Sequence, residues 1–270
     1  MTSSPRPADI KARQQKTWAS GDYGAVAALI QPISELLVQA ADLSAGSRVL
    51  DVATGTGNAA IAAARCLCEV VGVDYVPELL ERGRARAAAE HLPVRFVEAD
   101  AEDLPCDDGE WDAVFSVVGV MFAPDQERAA AQLTRVCRSG GTIALANWTP
   151  DGFIGDLFRT VGRRVPPPPG LRAPVEWGHE PRLRELVGDR VRDLSVTRRE
   201  FVFRFPTPED FADYFRTHYG PTLKAFEALS EDDGKLLHAD LVELAEQYNV
   251  ATDGTAKIPS AYLEVLAIRA

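Results

Sequence analysis

The chain has 270 residues, 46% hydrophobic and 26% charged, with a formal net charge of −11 and a pI near 4.9. This is an ordinary composition for a folded protein, long enough for one large core or for a core with a modest subdomain. It speaks against nucleic acid as a partner: polyanion binding draws on clustered Lys and Arg, and the arginine runs here sit among acids.

Residues 1–9 are polar, carry two prolines and read as disordered. From Ile10 to Ala41 two helical stretches are expected, broken around Ser20–Gly24, with Asp22 as a candidate N-cap. The pattern then alternates. Arg48–Val52 reads as a strand, Asn58–Leu67 as a helix and Glu69–Asp74 as a strand. A helix starting at Pro77 runs to about Glu90 and is followed by strands at Val94–Glu98 and Trp111–Val117. Pro124–Cys137 is helical, and Thr142–Trp148 is a fifth strand after Gly140-Gly141. Strands alternating with helices imply βαβ units in a parallel sheet with right-handed crossovers.

The rhythm changes after Trp148. Asp151–Val161 is expected to be helical, Pro166–Gly170 a stiff spacer and Arg182–Leu186 a short helix. Val191–Phe205 alternates with period two and reads as a strand, Pro208–Tyr248 as helical, and Tyr262–Ile268 as the closing strand. The expected fold is α/β, a Rossmann-like, mostly parallel seven-stranded sheet with helices on both faces. Its late strands supply an antiparallel edge, and a helical insertion forms a lid. No strong boundary divides the chain, so residues 1–270 read as a single domain. It comprises a helical cap (1–44), a core (45–150) and a substrate-side region (151–270) with its insertion at about 206–258.

Cys66, Cys68, Cys106 and Cys137 lack metal-ligand spacing, so no metal is expected and the thiols read as unpaired in a reducing compartment. No apolar stretch is read as approaching the roughly 20 residues that span a bilayer, and the N-terminus lacks a signal-peptide core. The expectation is a cytoplasmic protein, monomer or homodimer, without a membrane or nucleic-acid partner.

The run Val49-Leu50-Asp51-Val52-Ala53-Thr54-Gly55-Thr56-Gly57 joins a strand, a tight turn and a helix N-terminus. Glycine is needed where backbone must pass close to a ligand. Gly55-x-Gly57-x-x-Ala60 also fits a loose dinucleotide fingerprint. Asp74 ends the second strand, where a carboxylate can hold the ribose of either NAD or S-adenosylmethionine. Asp51 beside the turn and Asp100 after the third strand separate the two: a carboxylate there would repel pyrophosphate by about 1 kcal/mol and would favour a cationic sulfonium.

These residues, with Val71–Asp74, Ala99–Leu104, Trp111–Val114 and Leu133–Gly141, resemble the cofactor motifs of class I S-adenosylmethionine-dependent methyltransferases of the small-molecule type. The resemblance covers roughly residues 45 to 150. It implies S-adenosyl-L-methionine as cofactor, with Gly55 and Gly57 at its methionine portion, Asp74 on the ribose, and Asp100 with Ala101 on the adenine. Ala53 and Thr54 complete the turn, and Glu102 follows the adenine acid. Val117 and Val118 line the cofactor after the fourth strand, with Phe122 nearby, Tyr75 against the adenine and Tyr23 over the methionine end. Many members carry glycine where Ala53 stands, so Ala53 is expected to keep an ordinary φ.

The expected activity is transfer of a methyl group to an oxygen, nitrogen or carbon of a small apolar or aromatic acceptor. Geometry and desolvation matter more than acid–base chemistry in such a transfer, so a missing catalytic dyad does not count against it. His91, His179, His218 and His238 are all possible bases, of which His218 beside Tyr219 is the best candidate; the catalytic residues are otherwise unknown. Trp148, Phe153 and Tyr219 are candidates for the acceptor wall, while Phe211, Tyr214 and Phe215 read as core packing. The alternatives are a cofactor-binding regulatory protein without catalysis, an NAD-linked oxidoreductase, and a methyltransferase acting on a macromolecule.

Overall fold

A computed structural model describes residues 7–270, with side chains from Asp9 onward. Two helices lead the chain, α1 (Pro7–Trp18) and α2 (Tyr23–Ala41). The expected disorder of residues 1–9 therefore fails at its last three positions, and the rest of that segment lies outside the described residues. Asp22 sits at the N-cap position of α2, but its side chain accepts no capping hydrogen bond and pairs instead with Arg82. By length and composition α2 is apolar enough to cross a membrane, contrary to the expectation that no apolar stretch approaches that length. Val26, Ile30, Ile33 and Leu37 of that helix lie in the protein core.

The sheet then builds outward from its middle. Strands β1 (Arg48–Val52), β2 (Glu69–Asp74), β3 (Arg95–Glu98), β4 (Trp111–Val117) and β5 (Cys137–Trp148) alternate with α3 (Asn58–Arg65), α4 (Pro77–Ala89) and α5 (Gln126–Val136). Beyond these lie α6 (Phe153–Arg164), α7 (Glu180–Val187), β6 (Val191–Phe205), α8 (Pro208–His218), α9 (Gly220–Ala228), α10 (Glu231–Tyr248) and β7 (Ala256–Arg269). The order across the sheet is β3-β2-β1-β4-β5-β7-β6. The first five strands run parallel, and β7 is antiparallel to both β5 and β6. Val49, Leu50 and Val52 of β1 are fully buried, as a strand covered on both sides requires. Helix α3 buries five alanines, Ala59, Ala60, Ala62, Ala63 and Ala64, around Ile61, small enough to lie close to the strands.

Two strands are longer than their sequence patterns suggest. Gly140 and Gly141 lie within β5 rather than before it, where the ladder to β4 shifts register between Trp111 and Ala113. Gly141 is needed there, because a Cβ would come within 2.8 Å of the Asp112 carbonyl. Strand β7 begins at Ala256 rather than Tyr262. Residues 262–268 pair with β5 as well as β6, whereas 256–261 pair with β6 alone. That singly paired half tolerates Pro259 and Lys257, which obscure it in the sequence.

The positioning consequence is simple. Chain order reverses between β1 and β4, so their carboxyl ends open a crevice at the switch point, where ligands bind in sheets of this kind.

Candidate functional site

The loop leaving β1 is shaped by the acids beneath it. Asp51, 2% exposed, accepts hydrogen bonds from Thr54 Oγ1 at 2.5 Å and from the Ala60 backbone N–H at 2.9 Å. Burial pushes its carboxyl up to about 7, with the two hydrogen bonds opposing. Asp74 accepts from the Gly55 N–H at 2.8 Å and the Val76 N–H at 3.0 Å. Burial raises Asp74 to about 6 against those bonds.

The turn is left-handed at Ala53 (φ 54), Gly55 (φ 55) and Gly57 (φ 86). The expectation of an ordinary φ at Ala53 is overturned. Its Cβ fits because the opposing residue is Gly119, whose own Cβ would stand 2.5 Å from the Ala53 carbonyl oxygen and 2.9 Å from the Ala53 Cβ. Gly57 serves packing rather than the cleft: a Cβ there would meet the Phe96 ring at 2.8 Å. Gly55 is different, since a Cβ would point at the Tyr23 ring 3.4 Å away.

These elements border a cleft. Ala53, Gly55, Asp74 and Tyr75 form one side, Asp100 and Ala101 an end, and Val118 to Val120 with Phe122 the other side. Helix α1 covers it. Lys11 Nζ lies 2.6 Å from Asp100 and 2.5 Å from Glu102, Gln14 donates to the Phe122 carbonyl at 3.2 Å and Gln15 to the Tyr75 carbonyl at 2.5 Å. Burial pulls the Lys11 ammonium down, but its bonds to the two carboxylates outweigh that and hold it above its usual range. Trp18 closes the far end, edge-on to Tyr23, Phe122 and Tyr219 with ring centroids 5.4, 4.7 and 5.7 Å away.

A second, smaller pocket, narrowed by its own side chains, adjoins the first and shares Tyr23, Val118 and Phe122 with it. Val118 has φ 51, an outlier for a β-branched residue. Ser116 stiffens the approach to it, donating to the Val52 carbonyl at 2.7 Å and accepting from the Val120 N–H at 2.9 Å. Strain of this kind persists only where the surroundings over-determine it.

Of the residues expected on the cofactor side, Tyr23, Ala53, Gly55, Asp74, Tyr75, Asp100, Ala101 and Phe122 meet at the larger cleft. Asp51, Thr54, Gly57, Glu102 and Val117 do not line it. Asp51 and Thr54 hold the loop from within, Glu102 is paired with Lys11 and accepts from the Asp125 N–H at 2.7 Å, and Val118 takes the place of Val117. Asp51, turned inward, therefore makes no electrostatic case against pyrophosphate.

On the acceptor side Trp148 and Tyr219 line the smaller chamber, but Phe153 does not. Phe153 is fully buried against Phe211 and Tyr248, at 5.1 and 5.5 Å. Phe215, read as core, does line the chamber. His218 lies off both cavities, its ring 4.5 Å from Tyr214. Lys11, Trp18, Gly119, Ile154, Leu157 and Phe158 were not singled out from the sequence. Only the apolar spacing 154, 157, 158 along α6 offered a signal.

The larger cleft fits an adenosyl group without phosphates. Its walls are apolar apart from carboxylates at Asp74 and Asp100, and its one lining cation, Lys11, is already held by two acids. A pyrophosphate would find no free positive partner among these side chains.

Comparison with known proteins gives the same direction. A family described as a methyltransferase domain matches residues 49–141. An uncharacterized protein of Mycobacterium tuberculosis is 42% identical over 251 residues, covering 91% of each chain. A demethylmenaquinone methyltransferase of Deinococcus radiodurans is 35% identical over 181 residues, 64% of this chain and 69% of its own. Among solved structures, phosphoethanolamine N-methyltransferase 2 of Haemonchus contortus, in complex with phosphomonomethylethanolamine and S-adenosylhomocysteine, aligns with a TM-score of 0.62 at 16% identity. That alignment covers 100% of this chain and 61% of the other. The YcgJ protein of Bacillus subtilis aligns at 0.58 and 18% identity, covering 87% and 97%.

Proposed function

This chain belongs to the class I S-adenosylmethionine-dependent methyltransferases, and from that premise we propose that it methylates a small apolar acceptor held in the smaller chamber. The observation that carries this reading is the shared wall. Tyr23, Val118 and Phe122 border both cavities, so a methyl donor in one can face a nucleophile in the other without crossing solvent.

Asp74 would hold the ribose hydroxyls, Asp100 and the Ala101 backbone the adenine edge, and Tyr75 the adenine face. Ala53 and Gly55 would pass beneath the methionine portion, with Tyr23 above it. When bound, S-adenosylmethionine supplies an electrophilic methyl on a sulfonium. The chain's own contribution is to orient, to exclude water beneath Trp18 and Phe122, and to hold the shared wall rigid at Val118. Near-attack positioning of that kind is worth about 7–11 kcal/mol of barrier. No histidine borders either cavity among the described residues, which supports a transfer that leaves His218 out of the chemistry.

The wall of Tyr23, Val118 and Phe122 shared by the cofactor cleft and the apolar pocket favours catalysis over a purely regulatory cofactor-binding role. The carboxylates and paired Lys11 argue against a nicotinamide dinucleotide. Calorimetry with S-adenosylmethionine, S-adenosylhomocysteine and NAD tests the cofactor: binding of the first two and not the third is expected, and tight NAD binding alone would overturn the reading. A panel of phenolic, amine and enolic acceptors with methyl-labelled cofactor tests the acceptor class. Turnover only on a peptide or nucleic acid would reject a small-molecule acceptor.

A further inference from the structure

The smaller chamber is specific in what its walls lack. Twelve residues line it and none carries a formal charge; its only side-chain oxygens are the hydroxyls of Tyr23 and Tyr219. Neither hydroxyl has a hydrogen-bond partner among the described residues, and neither is among the sealed, unpartnered polar atoms, so each keeps some accessible surface. Tyr219 is 7% exposed. Burial raises both phenols above their ordinary values, helped at Tyr23 by Asp74 and at Tyr219 by Tyr23, so both remain protonated and able to donate.

Two unpaired donors facing an apolar chamber carry a desolvation cost that a ligand oxygen would remove. A cationic amine would meet no carboxylate there and would lose its hydration uncompensated. None of the twelve lining residues is a carboxylate or a histidine, so the chamber wall itself offers no base to take a proton from the acceptor. The nucleophile must therefore arrive without one.

We propose that Tyr23 and Tyr219 are positioning residues, a two-donor clamp for the oxyanion of a planar, apolar, acidic phenol or enol, and that this class, rather than amines, is the acceptor. The inference rests on the methyltransferase reading above. The acceptor loses its proton to solvent before it enters. Its oxygen forms the O–CH3 bond as the S–CH3 bond breaks, and that electron pair stays on sulfur, leaving a methyl ether and a neutral thioether. The anion and the sulfonium cancel, which offsets the cost of bringing an anion into apolar surroundings.

The test is binding rather than turnover, on full-length protein saturated with a cofactor analogue that keeps a positive charge at the sulfonium position but carries no transferable methyl. 4-Nitrophenol and 2-hydroxy-1,4-naphthoquinone are coloured as anions; their methyl ethers and benzylamine serve as comparisons. The expected result is that the coloured anions bind with a pH profile following the probe's own ionisation, and that benzylamine does not displace them. Tyr219→Phe should weaken anion binding about tenfold, one lost hydrogen bond to a charged group, while leaving the affinities for the methyl ether and the cofactor analogue unchanged. A Tyr219→Phe protein with the wild-type ratio of anion to ether affinity overturns the proposal, as does displacement by benzylamine or no anion binding at all. Failure of the wild type to bind the cofactor analogue would instead take down the reading on which it rests.

Discussion

The cofactor cleft and the smaller chamber beside it share a wall and differ in almost everything else. The cofactor cleft is built by consecutive turns at the ends of β1, β2, β3 and β4, and each turn contributes a carboxylate, a glycine or an exposed backbone edge. The acceptor chamber draws on α2, β5, α6, β6 and α8 together with Tyr219, and presents almost only hydrocarbon. A ligand with fixed polar groups leaves a local pattern in the chain. A ligand recognised by shape leaves apolar residues that look like any others.

Four changes break or sharpen that contrast. Leu157→Ala, at a side chain 1% exposed on the chamber wall, should lower unfolding free energy by about 2–5 kcal/mol in urea titrations. Cofactor affinity should stay unchanged, and a parallel loss would mean that the halves are one unit. Asp74→Ala should do the reverse, weakening S-adenosylmethionine by about 10- to 100-fold in calorimetry, since hydrogen bonds to a charged group are worth about 1.5–3 kcal/mol. Undiminished affinity would remove Asp74 from the ligand set.

The third change concerns pH. Burial lifts Asp51 from 3.8 to about 7 in the folded protein, so the native state binds that proton more tightly than the unfolded chain between those values. The Asp51 contribution to stability is accordingly greatest at the acid end and falls as pH rises through the window, by at most about 1.4 kcal/mol per unit. Asp51→Asn keeps an oxygen for the Thr54 hydroxyl and the Ala60 N–H and removes that dependence. The wild-type-minus-variant difference should therefore grow more negative from about pH 4 to 7; a flat difference would show that Asp51 ionises normally. The smallest effect is at Ala53→Gly. Relief of a left-handed alanine, about 1–2 kcal/mol, is partly offset by about 0.5–1 kcal/mol of added freedom in the unfolded chain. A rise in Tm of a few degrees is expected, and a fall would show that the Ala53 Cβ contact with Gly119 matters more than the backbone.

Legibility followed the same division. Strands β1, β2, β4 and β6 stand in the sequence to the residue, because apolar runs ending in Asp, Gly or Pro are local signals. The place of Asp74 and Asp100 at strand tips beside the cleft was readable for the same reason. The left-handed Ala53 was not, because what allows it is an absent side chain at Gly119, 66 positions on. Nor was Lys11, whose two acids lie about 90 residues downstream. Gly57 misled in the opposite direction, since a glycine kept for Phe96 and one kept for a ligand look identical in a string of letters. Asp51 did likewise, its carboxylate turned inward to hold Thr54 and Ala60.

Helix α1 ties the chain's start to three separate walls of the cofactor cleft through Lys11, Gln14 and Gln15. Occupancy of the cleft and docking of that helix are therefore coupled equilibria: whatever steadies one steadies the other by the same free energy. The first two turns of the protein thus act as a reporter, and the rate at which their amide hydrogens trade with deuterated solvent measures how full the cleft is.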